Sequence, residues 1–111
     1  MTPVERAKWI LKKSGIDARD PAAYAGKCRS GYAVVYSGGD VPLGPTTRRI
    51  IVNIMTHVPV SKPDRLQALR NEAQLAMRSV GFVPMGAEEA SVLSDYEALT
   101  GVDTYYCLGG M

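Results

Sequence analysis

RRIIVNIMTHV (48–58), followed at once by SKPDRLQALRNEAQLAMRSV (61–80), decides the fold. The first stretch is the most apolar and β-branched in the chain, a composition suited to a pleated, packed strand. In the second, Leu66, Leu69, Ala73, Ala76, Met77 and Val80 fall within about 100° on a helical wheel, the width of a core-facing stripe. Ser61 and Asp64 are the expected N-terminal cap, Pro63 fits a first turn that needs no N–H there, and Gly81 supplies the left-handed residue that ends the helix.

The strand has two faces of unequal meaning. Ile50, Val52, Ile54, Thr56 and Val58 alternate onto one side and make the floor for the helix. Arg49, Ile51, Asn53, Met55 and His57 take the other side. A sheet face open to water normally reads polar, yet this one carries Ile51 and Met55. Two coverings are expected: the N-terminal helix of the same chain, or another subunit.

Upstream, Thr2-Pro3-Val4-Glu5 is a capping box with proline at the first helical position. The helix it opens has Val4, Ala7, Ile10, Leu11 and Trp9 on its apolar side and stops at Gly15. Residues 17–27 read as an ordered loop. The stretch 29–37 reads as a strand with Tyr32, Val34 and Tyr36 on one face and Ala33 and Val35 on the other. The breaker-rich segment 38–47 reads as a ten-residue loop, long for a hairpin and so a contact candidate, with Asp40 and Leu43 in it. Downstream, 82–87 reads as a short strand that Pro84 confines to an edge or a bulge. Residues 88–101 are open between loop, a helical turn around Tyr96–Leu99, and strand. The closing strand, 102–108, alternates Val102, Thr104, Tyr106 and Leu108 against Asp103, Tyr105 and Cys107. The expectation is one α+β domain over 1–111: an antiparallel or mixed sheet of about four strands, one long helix on one face and a short N-terminal helix, in the order α-β-β-α-β-β.

A chain of 111 residues with 46% apolar and 22% charged residues belongs with globular domains rather than disordered ones. A net charge of +2 is too small to imply nucleic acid by itself. No apolar run has the length of a membrane span, and residues 1–15 lack the pattern of a signal peptide, so a cytoplasmic site of synthesis and folding is expected. Cys28 and Cys107 stand apart, without a CxxC spacing, and are expected as reduced thiols.

Catalytic chemistry finds little support. His57, the only histidine, sits on an apolar strand and reads as a structural residue. Glu88-Glu89 reads as solvated loop. Ser37-Gly38-Gly39-Asp40 and Gly44-Pro45-Thr46-Thr47 lack the Gly–Lys–Ser/Thr ending of a phosphate loop. One histidine and two distant cysteines supply no tetrahedral metal set. No catalytic residue, metal or cofactor is expected. The informative residues are apolar ones in odd places, because Leu75 lies opposite the core stripe near Arg78. With Ile51 and Met55 it suggests a surface that meets another subunit.

The order of elements resembles the tail terminator (tail completion) proteins of long-tailed phages and prophages. The likeness rests on an N-terminal helix ending in KKSGI (12–16), a tyrosine/valine strand (31–36), and a breaker-rich segment into TTRRIIVNIMTHVPV (46–60). PDRLQALRNEAQLAMRSVGF (63–82) and a tyrosine-rich closing strand (102–108) complete it. Residues 86–101 depart from the family pattern, whose last strands are joined more compactly. The resemblance implies a virion structural protein, with no turnover, that forms a six-fold ring on the last ring of the tail tube. Such a ring stops tube polymerisation and presents a face to the head-side connector (stopper) protein. It implies as partners copies of itself, the tail tube protein and the connector, with DNA passing through the lumen without sequence-specific contact and no membrane. Arg48, Arg49, Ile51, Met55, Leu75, Arg78, Asp40 and Leu43 are the candidate interface. Two other readings share these features: another neck adaptor, and a small nucleic-acid-binding domain using Lys27, Arg29, Arg48 and Arg49 beside Tyr32 or Tyr36.

Overall fold

The computed structural model describes residues 1–21, 30–93 and 97–110. The chain runs α1 (Pro3–Lys13), β1 (Ala18–Arg19), β2 (Tyr32–Pro42), β3 (Thr47–Pro59), α2 (Asp64–Ser79), β4 (Val83–Leu93) and β5 (Ala98–Gly110). The strands form one sheet in the order β1-β2-β3-β5-β4, parallel between β1 and β2 and antiparallel elsewhere. The fold is therefore α+β with a mixed sheet, a short N-terminal helix and one 16-residue helix. A fifth strand, β1, lies inside the stretch 17–27 that reads as loop, and two residues are too few to show any period.

Both helices end by the same device. Gly15 (φ +86°) and Gly81 (φ +91°) take the left-handed conformation. Their N–H groups bond to Lys12 and Arg78 carbonyls at 3.0 and 3.2 Å. The next N–H groups, of Ile16 and Phe82, bond to Leu11 and Met77 at 2.9 and 3.1 Å. This is the Schellman arrangement, and in each case the two residues it joins are buried, so the chain is turned back into the core as the helix ends. At the start of α1, Thr2 Oγ1 accepts the Glu5 N–H at 3.1 Å, the cap its sequence implies. The start of α2 departs from expectation, because neither Ser61 nor Asp64 caps it. Pro63 occupies the cap position in helical geometry, and the Arg65 and Leu66 N–H groups bond to the carbonyls of Lys62 and Pro63 at 3.2 Å. Backbone carbonyls satisfy donors that a side-chain oxygen would otherwise serve.

The two helices share one face of the sheet, α1 over β1, β2 and β3 and α2 over β3, β5 and β4. Between the layers lie Ala7, Leu11, Ala33, Val35, Val52, Ile54, Ala73, Met77, Phe82 and Tyr105, all nearly or fully buried. A part-buried polar pair also links the layers. Arg70 of α2 forks onto the Asp103 carboxylate at 2.8 and 2.9 Å, which holds its guanidinium above its ordinary pKa.

The long strands replace the expected loop. β2 continues through Ser37–Pro42, and only residues 43–46 connect it to β3, with the Leu43 N–H bonded to the Thr47 carbonyl at 2.9 Å. The glycines that read as breakers make a β-bulge between Ser37 and Gly39 instead. Gly39 has φ +97°, and a Cβ on Gly38 would collide with Ile51 and lie 2.8 Å from Asn53 Nδ2. On the other side, β4 extends the expected 82–87 strand to Leu93, and its bulges at Pro84/Gly86 and Glu88/Ser91 suit an edge. Of the uncertain 88–101, residues up to Leu93 and from Ala98 are strand; Tyr96, Lys27, Arg29 and Cys28 lie outside the described residues. Strands of 11 to 13 residues account for a molecule 48 × 24 × 23 Å across.

Candidate functional site

With both helices on one side, the reverse face of the sheet is built by residues that alternation alone assigns. Cross-strand register sets Val34 beside Met55 and Met55 beside Val102, and it sets Tyr36 beside Asn53 and Asn53 beside Thr104. It also places Ile51 beside Tyr106. Val34, Tyr36, Ile51, Met55, Val102 and Tyr106 are all half-buried, and the described residues put no helix over them. The expectation that α1 covers Ile51 and Met55 is thus overturned: Ala7 and Leu11 pack against the helix-side residues Val35 and Val52.

Polar groups frame this apolar centre. Arg49 stacks its guanidinium over Tyr106, 4.6 Å from the ring centroid, and the Thr104 hydroxyl donates to Asn53 Oδ1 at 2.8 Å. Burial, with the Glu88 carboxylate adding to it, pushes the Tyr36 hydroxyl above its ordinary pKa. At the far end the face closes over. Tyr32 and His57 are buried there, with ring centroids 4.8 Å apart, and the Arg19 guanidinium lies 4.1 Å from the Tyr32 centroid. His57 Nδ1 is 2.8 Å from Thr100 Oγ1, so the histidine is the satisfied structural residue its strand implies. Burial first, and the Arg19 charge second, hold its pKa below the ordinary value.

The sequence-assigned interface residues divide into three places. Arg49, Ile51 and Met55 share the open face. Asp40 and Arg48 form an ion pair at 3.0 Å on neighbouring strands, and Leu43 stands half-exposed at the adjoining hairpin tip. Leu75, 71% exposed, and Arg78 lie on the outer side of α2, in the opposite layer. Leu75 thus lies on a different surface from Ile51 and Met55, because the helix that carries it packs on the other side of the sheet. Sequence reasoning left out the partners that complete the face, Val34 and Tyr36 on β2 and Val102 and Tyr106 on β5. Their alternation is visible in the sequence, but the register that brings them to β3 is not.

Among the described residues, no group of three or more His, Cys, Asp or Glu side chains is placed to hold a metal. Cys107 is a free, buried thiol on the helix side. Two of the clefts are shallow troughs of about 380 and 360 Å³, along β5 beside Val80–Gly81 and along β4 beside Gln74. No described helix is long and apolar enough to cross a membrane. No protein-family model matches the chain, and no curated protein matches it.

Proposed function

We propose that the chain is a virion structural subunit, a tail-terminator-like protein that forms a ring, six-fold by its resemblance, at the head-proximal end of a phage tail tube. The observation that carries this reading is the open sheet face: an apolar centre of Val34, Ile51, Met55, Val102 and Tyr106 framed by Arg49, Asn53 and Thr104. An apolar centre with a polar rim is the usual anatomy of a subunit contact. Leu75 and Arg78 on the opposite layer fit the same reading in a different way. A ring is built from heterologous contacts, in which two different surfaces of each copy meet, so two distinct candidate surfaces on one copy are compatible with it. The mechanism is differential binding. The ring binds the tube's last mating face with one surface, offers the connector a different one, and so ends polymerisation without turnover.

The chain's mass in solution and its effect on tube length test this together. A ring-sized species that caps tube protein at a fixed end supports the reading, and a chain that is monomeric both alone and in the assembled particle overturns it. A second reading has one observation in its favour: Arg49, Tyr36 and Tyr106 share an open sheet face, as stacking platforms for single-stranded nucleic acid do. Against it, Arg48 is paired with Asp40, and the acidic Glu88 borders the same face. A salt-dependent gel shift with single-stranded DNA or RNA separates the two readings.

A further inference from the structure

The open sheet face and the outer side of α2 each carry one acid and one base without an ion-pair partner among the described residues. On the sheet face these are Arg49 and Glu88. Arg48, Arg70 and Arg19 hold the carboxylates of Asp40, Asp103 and Asp17, whereas Arg49 engages only the Tyr106 ring and its Nε has no acceptor. Register sets Glu88 beside Val102, so its exposed carboxylate belongs to this face; Arg70 reaches it only at the backbone carbonyl, 3.3 Å away. On α2 the pair is Asp64 and Arg78, near its two ends, with Ala68, Asn71 and Leu75 between them. At 100° per residue these five fall within about 80° of one another, and all are exposed. Arg65 and Glu72 turn toward α1, where they line a cleft with Gly15 and Asp17.

Resting on the ring reading above, we infer that the outer side of α2 in one copy seats across the open sheet face of the next, Asp64 on Arg49 and Arg78 on Glu88. The spacings correspond. From Arg49 to Glu88 is six residues along β3, to Met55, and two strands across, to β4: about 20 Å by about 10 Å, so roughly 22 Å. From Asp64 to Arg78 is fourteen residues of helix at about 1.5 Å each, so roughly 21 Å. Laid aslant the strands in this direction, α2 brings the small Ala68 over the Ile51–Tyr106 row. Asn71 comes next, near Asn53 and Thr104, and Leu75 follows near Met55 and Val102. The occupant is a second copy of this chain because sign order, span and side-chain order all match. Two-fold pairing of open faces would also set Arg49 against Glu88, but it would leave Leu75, 71% exposed, uncovered. The contact is head-to-tail: it closes into a ring where successive copies are inclined to one another and runs on as a filament where they are not.

The test is sedimentation of the full chain, with circular dichroism to confirm folding, as wild type, Arg49→Glu, Asp64→Arg and Leu75→Ser. Each charge reversal alone is expected to lose at least roughly tenfold in association, and Leu75→Ser to weaken it as well. An equimolar mixture of the two reversed chains, and one chain carrying both changes, are expected to recover it, since a carboxylate again faces a guanidinium at every contact. Asp64→Arg opposes the α2 dipole, so Asp64→Asn and Arg49→Gln take over should a reversed chain fail to fold. Both neutral variants are expected to weaken association; indifference to both overturns the contact. A ring-sized oligomer indifferent to all the changes overturns the contact and leaves the ring reading standing. Charge losses that the mixture does not recover also overturn it. An oligomer lost to Arg49→Glu but untouched by Asp64→Arg and Leu75→Ser is a pair of open faces, and that overturns it too. Association that obeys the exchange yet grows without limit upholds the contact and overturns the ring. A wild type that is monomeric alone and in the particle overturns both.

Discussion

Met55→Asp and Ile54→Asp place the same carboxylate one residue apart on β3, on opposite faces of the sheet. Ile54 is 1% exposed between the layers, and its cross-strand neighbour is Asp103, whose carboxylate already engages Arg70, so a second carboxylate there meets a like charge. Removing an isoleucine side chain from a packed core costs about 2–5 kcal/mol. An uncompensated buried carboxylate adds further, so the total reaches the whole stability of a small domain, about 5–15 kcal/mol. Ile54→Asp is expected to be unfolded at 25 °C. Met55 is half-buried, with Val34 and Val102 as its cross-strand neighbours. Replacing it loses two cross-strand pairs at roughly 0.2–1 kcal/mol each, plus about 1 kcal/mol for aspartate's poor strand propensity. Water reaches the new charge in the lone subunit, so Met55→Asp should lower stability by about 1–3 kcal/mol and still fold. In an assembled ring the same charge is buried against a neighbour, so the variant should be a folded monomer. Circular dichroism melts and sedimentation on the two variants give the answer. An unfolded Met55→Asp chain refutes the claim that this face is open within the subunit. A folded Met55→Asp chain that assembles as wild type does refutes its use as an interface.

Four other changes test particular parts of the fold. Gly81→Ala meets no neighbouring atom, so its cost is the left-handed backbone alone; equilibrium denaturation should show a loss of about 1–2 kcal/mol, less for Gly81→Asn. Gly38→Ala drives a methyl group into Ile51 and Asn53 and should cost about 1–3 kcal/mol in the same assay, where a true surface loop would tolerate it. Thr56, fully buried, has a hydroxyl without a hydrogen-bond partner among the described residues, so Thr56→Val should leave stability unchanged or raise it by about 1 kcal/mol. For His57 the folded pKa lies below the unfolded one, so the unfolded chain binds the proton more readily. Stability should be full above the unfolded value of about 6.5, fall as pH drops below it, and level off under the folded pKa; His57→Gln should abolish that part of the pH dependence.

Most of the architecture is legible in the sequence because it is written in long periods. The α2 stripe, the two-faced β3 and the alternation of β5 each run for many residues, and Leu66, Ala73, Ala76 and Met77 are buried as their spacing requires. The failures fall where one residue type serves two ends. Gly38 and Gly39 signal a break in the chain, yet a bulge uses the same freedom to keep the ladder running. The cap of α2 was misread because a backbone carbonyl leaves no mark on side-chain identity. β1 is invisible because its two residues are recruited by β2 through tertiary pairing, not by local preference.

The candidate interface was less legible for a reason that bears on function. Helical and strand periods say which residues share a face of one element, but only the layer order says which elements share a face of the molecule. Leu75 and Met55 are both apolar residues on the unexpected side of their own element, and both readings hold locally. Since α1 and α2 pack on the same side, those two sides are opposite surfaces of one thin, two-layer subunit. A protein with one such surface has the means to form a closed pair with itself. A subunit with two different surfaces back to back has the means to make a directional contact, and a directional contact is what a ring needs.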